Sequence, residues 1–379
     1  MQTDTDTKLD TDSAAMALAL AWAAKGMRIT APNPRVGCVI VRDGVLIGAG
    51  HTQPAGQAHA EIEALRDAAA RGNDVRGATA YVTLEPCSHY GRTPPCSNAL
   101  VEAGLGRVVA AMGDPNPLVA GRGMAQLQAA GIATDSGLMA DAAYELNIGF
   151  FQRMRHGRPW VRLKTAASLD GTTALENGES QWITGPEARQ DGHAWRARAC
   201  VILTGIGTVK ADDPRLTVRG VAMPGLGAPR QPRRVIVDSR LDIGLDARVL
   251  QGEPCWIVAA RPDPQKLAAL RAAGHEVIVL ANGAGKVDLP ALMLELGRRE
   301  INEVHVEAGS KLNASLVREG CVDELLVYLA PSLIGAGQGM FALPPLVRLA
   351  DKAALTFHDI ARVGADLRIL ARFTTQQST

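Results

Sequence analysis

Four side chains in the first quarter of the chain have the types and spacing to do chemistry together: His59 and Glu61 of His59-Ala60-Glu61, Cys87 of Glu85-Pro86-Cys87, and Cys96 at the end of the following loop. One imidazole and two thiolates form a ligand set for zinc, which in catalytic sites takes three protein donors and keeps a fourth position for water, lowering that water's pKa to about 7. His59, Cys87 and Cys96 are the expected ligands. Glu61, left out of the ligand set, is the expected catalytic acid and base. Taken singly, each has a plain structural reading, a surface or core His and buried thiols; the order of all four favours the metal.

The elements that must position these groups follow from local pattern. A helix expected over 58–71 holds His59 and Glu61 in its first turn, where the partial positive charge of a helix N-terminus favours an anion. A strand over 78–84 ends at Glu85-Pro86-Cys87, and a helix over 97–103 begins beside Cys96. Upstream, residues 1–12 have nothing to bury and are expected to be a disordered tail. Asp12 or Ser13 caps a helix over 14–25, and Ala31-Pro32-Asn33-Pro34-Arg35 breaks the chain. Strands over 36–41 and 45–49 join at Asp43-Gly44. Downstream come a strand over 108–112, the turn Gly113-Asp114-Pro115-Asn116-Pro117, a helix over 123–130, a strand over 131–134 and a helix over 141–150. The result is an α/β/α domain over 13–150, and the stretch 150–159 reads as a linker. A second α/β domain over 157–375 alternates strands and helices as a mostly parallel sheet, closed by an antiparallel pair near 357–373.

The 379 residues suit two domains. A composition of 47% apolar and 21% charged residues is that of a globular enzyme. The net charge of +1 speaks against a nucleic-acid partner. The apolar run 14–24 is too short to span a bilayer and lacks a basic leader, so no membrane association is expected. Six scattered cysteines point to a reducing, cytoplasmic setting.

His-x-Glu followed by Pro-Cys and a second Cys resembles the zinc deaminases, whose Glu is acid and base and not a ligand. Eight residues separate Cys87 from Cys96, including Gly91-Arg92-Thr93-Pro94-Pro95, where nucleic-acid deaminases have Pro-Cys-x-x-Cys. This spacing resembles the bifunctional deaminase–reductase family of riboflavin biosynthesis. The second half adds Leu163-Lys164-Thr165-Ala166-Ala167-Ser168-Leu169-Asp170-Gly171, Gly178-Glu179-Ser180-Gln181-Trp182-Ile183-Thr184, the run Gly205 to Arg219, and Val306-Glu307-Ala308-Gly309-Ser310-Lys311-Leu312-Asn313. Nearly the whole chain after the tail is covered.

The resemblance implies a cytidine-deaminase-like domain followed by a dihydrofolate-reductase-like domain that uses NADPH. It also implies hydrolytic deamination of 2,5-diamino-6-(5-phosphoribosylamino)pyrimidin-4-one and then reduction of the ribosyl group of 5-amino-6-(5-phosphoribosylamino)uracil. Both substrates are small phosphoribosylated pyrimidines, and a homo-oligomer is implied. The family's pattern places Ala166, Trp182, Thr208, Asp212, Ser239, Gly309, Ser310, Lys311, Leu312 and Asn313 at the cofactor, with the turn's N–H groups on a phosphate. It places Asn33, Lys164, Ser180, Arg196, Leu216, Arg219 and Glu307 at the substrates, with Arg196 and Arg219 suited to phosphate. Arg92 is the expected phosphate contact of the first half, and Asp170, with Lys164, is a candidate for handling the opening sugar. Ala308 stands where the family commonly has Gly, a strained choice if that position takes positive φ. Rival readings share part of this pattern: a nucleic-acid-editing deaminase, a deaminase with a silent second half, and a structural zinc module.

Overall fold

The structure, a computed structural model, describes residues 9–88, 94–117, 119–221 and 230–374. His89 to Thr93, and with them the expected phosphate contact Arg92, lie outside the described residues. The chain divides into two compact units between Gly157 and Arg158.

Side-chain alternation along the strands gives the first unit its layers. After α1 (Asp12–Lys25), β1 (Gly37–Arg42) and β2 (Val45–His51) form the hairpin expected at Asp43-Gly44. Then follow α2 (Ala60–Ala70), β3 (Thr79–Val82), α3 (Cys96–Glu102), β4 (Arg107–Ala110), α4 (Arg122–Ala129), β5 (Ala133–Ser136), α5 (Ala140–Leu146) and α6 (Ile148–His156). The strands lie in the order β2-β1-β3-β4-β5, with β3, β4 and β5 parallel. Cys38, Ile40, Val82 and Val108 face α2, α3, α4 and α6. Val39, Tyr81 and Val109 face α1 and α5. Gly48 and Gly50 let α2 lie hard against β2, since a Cβ at either would fall 2.5 Å from a backbone atom of Ala64. The helix that begins with His59 and Glu61 is thereby fixed.

Two expectations are corrected in this unit. Of the supposed tail 1–12, residues 1–8 lie outside the described residues and the rest is packed: Leu9 is buried, its N–H donates to the Gly44 carbonyl, and Thr11, not Asp12 or Ser13, caps α1. Asp12 is drawn in by Arg107 at 2.8 Å and Tyr81 at 2.6 Å, both distant in sequence. The helix expected over 141–150 breaks at Asn147, whose side chain is engaged by the backbone of Arg35. It resumes as α6 through the supposed linker, because Phe150 and Phe151 are buried in the core, and ends at Gly157 in the left-handed conformation, φ 66°.

The second unit comprises β6 (Trp160–Ser168), β7 (Thr172–Leu175), α7 (Pro186–Arg198), β8 (Val201–Gly205), α8 (Ile206–Asp212), β9 (Arg233–Val237), β10 (Trp256–Ala259), α9 (Pro264–Ala272), β11 (Glu276–Val279), α10 (Leu289–Arg298), β12 (Glu303–Val306), α11 (Ser310–Arg318), β13 (Glu324–Ala330), β14 (Gly337–Gly339), β15 (Leu355–Val363) and β16 (Asp366–Phe373). Nine strands pair in the order β11-β10-β9-β8-β12-β6-β13-β16-β15, parallel as far as β13 and antiparallel thereafter. Chain segments leaving the C-terminal ends of β8, β9 and β12 carry most of the expected cofactor residues, the edge at which open α/β sheets bind ligands. Among the described residues no helix is long and apolar enough to cross a membrane.

Candidate active sites

In the first unit His59 is the N-cap of α2 and Cys96 is the first residue of α3, so two helix N-termini converge on Cys87 in the loop that follows β3. The ligand atoms of the three lie within 4.8 Å of one another. Tetrahedral zinc, with Zn–S about 2.3 Å and Zn–N about 2.1 Å, sets neighbouring S and N donors about 3.6 Å apart. The two sulfurs found lie 3.6 and 3.3 Å from His59 Nδ1. The donor set therefore fits the metal.

The electrostatics suit the same reading. The Cys87 thiol is drawn down to about 4 by the hydrogen bond from Cys96, against the cost of burial, with His59 assisting. The Cys96 backbone N–H also donates to that sulfur at 3.3 Å. Glu61 is buried, and desolvation pushes its carboxyl up to about 7, with the Cys87 sulfur adding to the shift. Ser97 holds the Cys87 carbonyl through both its N–H and its hydroxyl at 3.1 Å. Asn33 sits in the turn before β1, its N–H bonded to the Thr30 carbonyl, and no described contact joins its side chain to the cluster.

In the second unit the expected residues gather around Glu307, just beyond β12. Arg196 on α7 grips this carboxylate with two nitrogens, Nη2 to Oε2 at 2.7 Å and Nε to Oε1. Burial opposes the Glu307 charge, but the guanidinium outweighs it and holds the carboxyl well below its ordinary range. Lys164 on β6 is close enough to feel both charges, and burial lowers its ammonium. Arg219 donates its backbone N–H to His193 Nδ1 at 3.2 Å, and its guanidinium reaches the Thr217 hydroxyl at 3.1 Å. Leu216 is buried at φ 51°.

The cofactor candidates form a second group. Thr208 on α8 faces Gly309, the N-cap of α11, whose first turn carries Ser310, Lys311, Leu312 and Asn313. Gly205 admits Leu312, which would lie 2.9 Å from a Cβ there. Burial raises the carboxyl of Asp212 at the end of α8. The Ser239 carbonyl accepts from Ala260 and Arg261 at the ends of neighbouring strands. Ala166 is half-buried on β6, Ser180 is half-buried, and Trp182 is exposed under the Arg189 guanidinium.

Three findings depart from the sequence reading. Asp170 is a loop fastener: its carboxylate accepts from the Ile334 and Gly335 N–H groups and from the Ser168 hydroxyl. Ala308 is not among the described residues with positive φ, so the feared strain is absent. His193 and His305 were missed, although each had a signal. His193 is three residues before Arg196 on one helix face, and His305, on β12, is two residues before Glu307, with its Nε2 3.3 Å from the carboxylate.

Residues 9–112 match the cytidine and deoxycytidylate deaminase zinc-binding region, and residues 159–369 match the RibD C-terminal domain. The riboflavin biosynthesis protein RibD of Escherichia coli (strain K12) is 47% identical over 359 residues, covering 91% of this chain and 95% of that protein. The chain belongs to the RibD family. It is a bifunctional enzyme of riboflavin biosynthesis, a zinc-dependent deaminase joined to an NADPH-dependent reductase. The solved RibD of Acinetobacter baumannii is 42% identical with a TM-score of 0.87, over 97% of this chain and 100% of that one. A diaminohydroxyphosphoribosylaminopyrimidine deaminase/5-amino-6-(5-phosphoribosylamino)uracil reductase from Thermotoga maritima is 30% identical with a TM-score of 0.83, over 96% and 98% of the two chains. The fold is the expected one for the family, a cytidine-deaminase-like α/β/α domain followed by a dihydrofolate-reductase-like domain.

Proposed function

We propose that the first half deaminates 2,5-diamino-6-(5-phosphoribosylamino)pyrimidin-4-one and that the second half reduces the ribosyl group of the product, 5-amino-6-(5-phosphoribosylamino)uracil, to ribityl. The observation that carries this reading is the three-donor cluster set against a buried carboxylate poised near neutrality; the activities of the Thermotoga maritima relative support the choice of substrates.

His59, Cys87 and Cys96 would hold zinc, and the residues around α8 and α11 would hold NADPH. Zinc supplies Lewis acidity toward a water molecule, and NADPH supplies the reducing electron pair. Glu61 takes a proton from that water as the water's oxygen bonds to the pyrimidine carbon bearing the exocyclic amine, and passes the proton to that nitrogen, which leaves as ammonia as the carbonyl forms. Asn33 is assigned to the pyrimidine on the family's pattern. In the second unit Arg219 grips the 5-phosphate. Arg196 fixes Glu307 against the sugar hydroxyls, a change from the phosphate role first expected, because its guanidinium already engages the carboxylate. Lys164 donates the proton that the ring oxygen needs as the sugar opens. Ser180 and Leu216 complete the substrate side. Ala166, Trp182, Thr208, Asp212, Ser239 and the run Gly309 to Asn313 line the cofactor side.

The test is ammonia release from the diaminopyrimidine ribotide without NADPH, where one ammonia per substrate is expected. No ammonia from the zinc-loaded protein would return the first half to other deaminase substrates. A homo-oligomer is supported by the edge strand β15, where Phe357 and Ile360 are 67% and 55% exposed; a single-chain mass in sedimentation would contradict it. A cytoplasmic location is supported by six unpaired cysteines, and export in a cell fractionation would overturn it.

A further inference from the structure

Glu85 lies two residues before Cys87 and is only 4% exposed. Its carboxylate collects four backbone N–H groups: Oε2 accepts from Asp114 at 3.2 Å and Gly121 at 2.9 Å, and Oε1 from Gly123 at 2.9 Å and Met124 at 3.3 Å. A buried carboxylate is costly unless it is hydrogen-bonded, so these donors make the charge tenable. The same bonds complete α4. Gly121 is its N-cap, Gly123 and Met124 belong to its first turn, and the helix has no side-chain cap from its own N-cap residue. First-turn N–H groups have no partner within the helix, and that end favours negative charge. The approach is tight enough to require glycine at 123, where a Cβ would fall 2.0 Å from the Pro86 carbonyl oxygen.

Between the bonded ends runs the Asp-Pro-Asn-Pro turn. It leaves the C-terminal end of β4, beside the parallel strand β3 that leads to Cys87, at the edge where α/β sheets bind ligands. We infer that Glu85 is a positioning residue for deamination, pinning Asp114 and the start of α4 against the loop after β3 that carries Cys87 so that the Asp-Pro-Asn-Pro turn walls the substrate's side of the site. Which substrate the wall contacts rests on the function proposed above.

The test compares Glu85→Gln and Glu85→Asp with the unaltered full-length enzyme. It reads kcat and KM for ammonia release, zinc content, and NADPH-dependent reduction of the deaminated uracil as an internal control. Gln turns an NH2 toward groups that need an acceptor. Its deaminase kcat/KM is expected to fall roughly ten- to hundredfold, chiefly through KM, with zinc and reduction unchanged, and Asp recovers part of the loss. Unaltered deamination, or zinc lost along with it, would overturn the inference. Amide exchange in the unaltered protein decides the matter even if a variant fails to fold. Gly121, Gly123 and Met124 should be protected; exchange as fast as in an uncapped helix start would refute Glu85's hold. A wrong substrate shows itself separately, as no ammonia from an unaltered enzyme whose amides are still protected.

Discussion

Glu61→Gln is expected to lower deamination by about 10³-fold while zinc content and NADPH-dependent reduction stay as they are. The substitution keeps the size and shape of a side chain that is 4% exposed and removes only its capacity to take and return a proton. Glu61 is not among the three donors of the cluster, so the metal should remain. Burial disfavours the Glu61 charge, so its neutral replacement should leave the first unit as stable as before or more so. Metal analysis beside ammonia release checks this. Activity lost together with zinc would make Glu61 a ligand, and activity retained would place the proton shuttle elsewhere.

Arg196→Met should weaken the other half-reaction and spare the first. Removing one partner of a half-buried, hydrogen-bonded charge pair is expected to cost about 2 kcal/mol, roughly thirtyfold or more in kcat/KM for the reductase. Glu307 would be left half-buried without the guanidinium that holds its carboxyl down. The sign of the pH dependence should then change. In the unaltered protein the depressed carboxyl contributes stability above its ordinary range, and that stability is lost as pH falls through the depressed value. In the variant, burial raises the carboxyl, so this group's contribution should grow as pH falls from neutrality into the ordinary carboxylate range. Reductase kinetics with melts across that range check both points. Full reductase activity in the variant would make the pair purely structural.

What the sequence made legible is local. His59 and Glu61 occupy one helix start, and Cys87 and Cys96 lie at the ends of short elements, so pattern alone assembles most of the metal cluster. Partners far apart in sequence were not legible. Arg196 and Glu307 are 111 residues apart, and nothing in either neighbourhood announces that one guanidinium engages the other's carboxylate. Leu9 looked like part of a polar tail because its partner, the Gly44 carbonyl, belongs to a hairpin. Phe150 and Phe151 looked like linker because their burial depends on the sheet they cover. Glu85 stands in a ligand motif, while its four donors arrive from positions 29 to 39 residues further on.

The proposed order of the two half-reactions is tested most directly by the time course of NADPH oxidation on the diaminopyrimidine ribotide, with ammonia followed in parallel. The expected result is ammonia first and NADPH loss after a lag, both absent in Glu61→Gln, with NADPH loss restored in that variant by the deaminated uracil. NADPH oxidation of the diamino compound by Glu61→Gln would contradict the account.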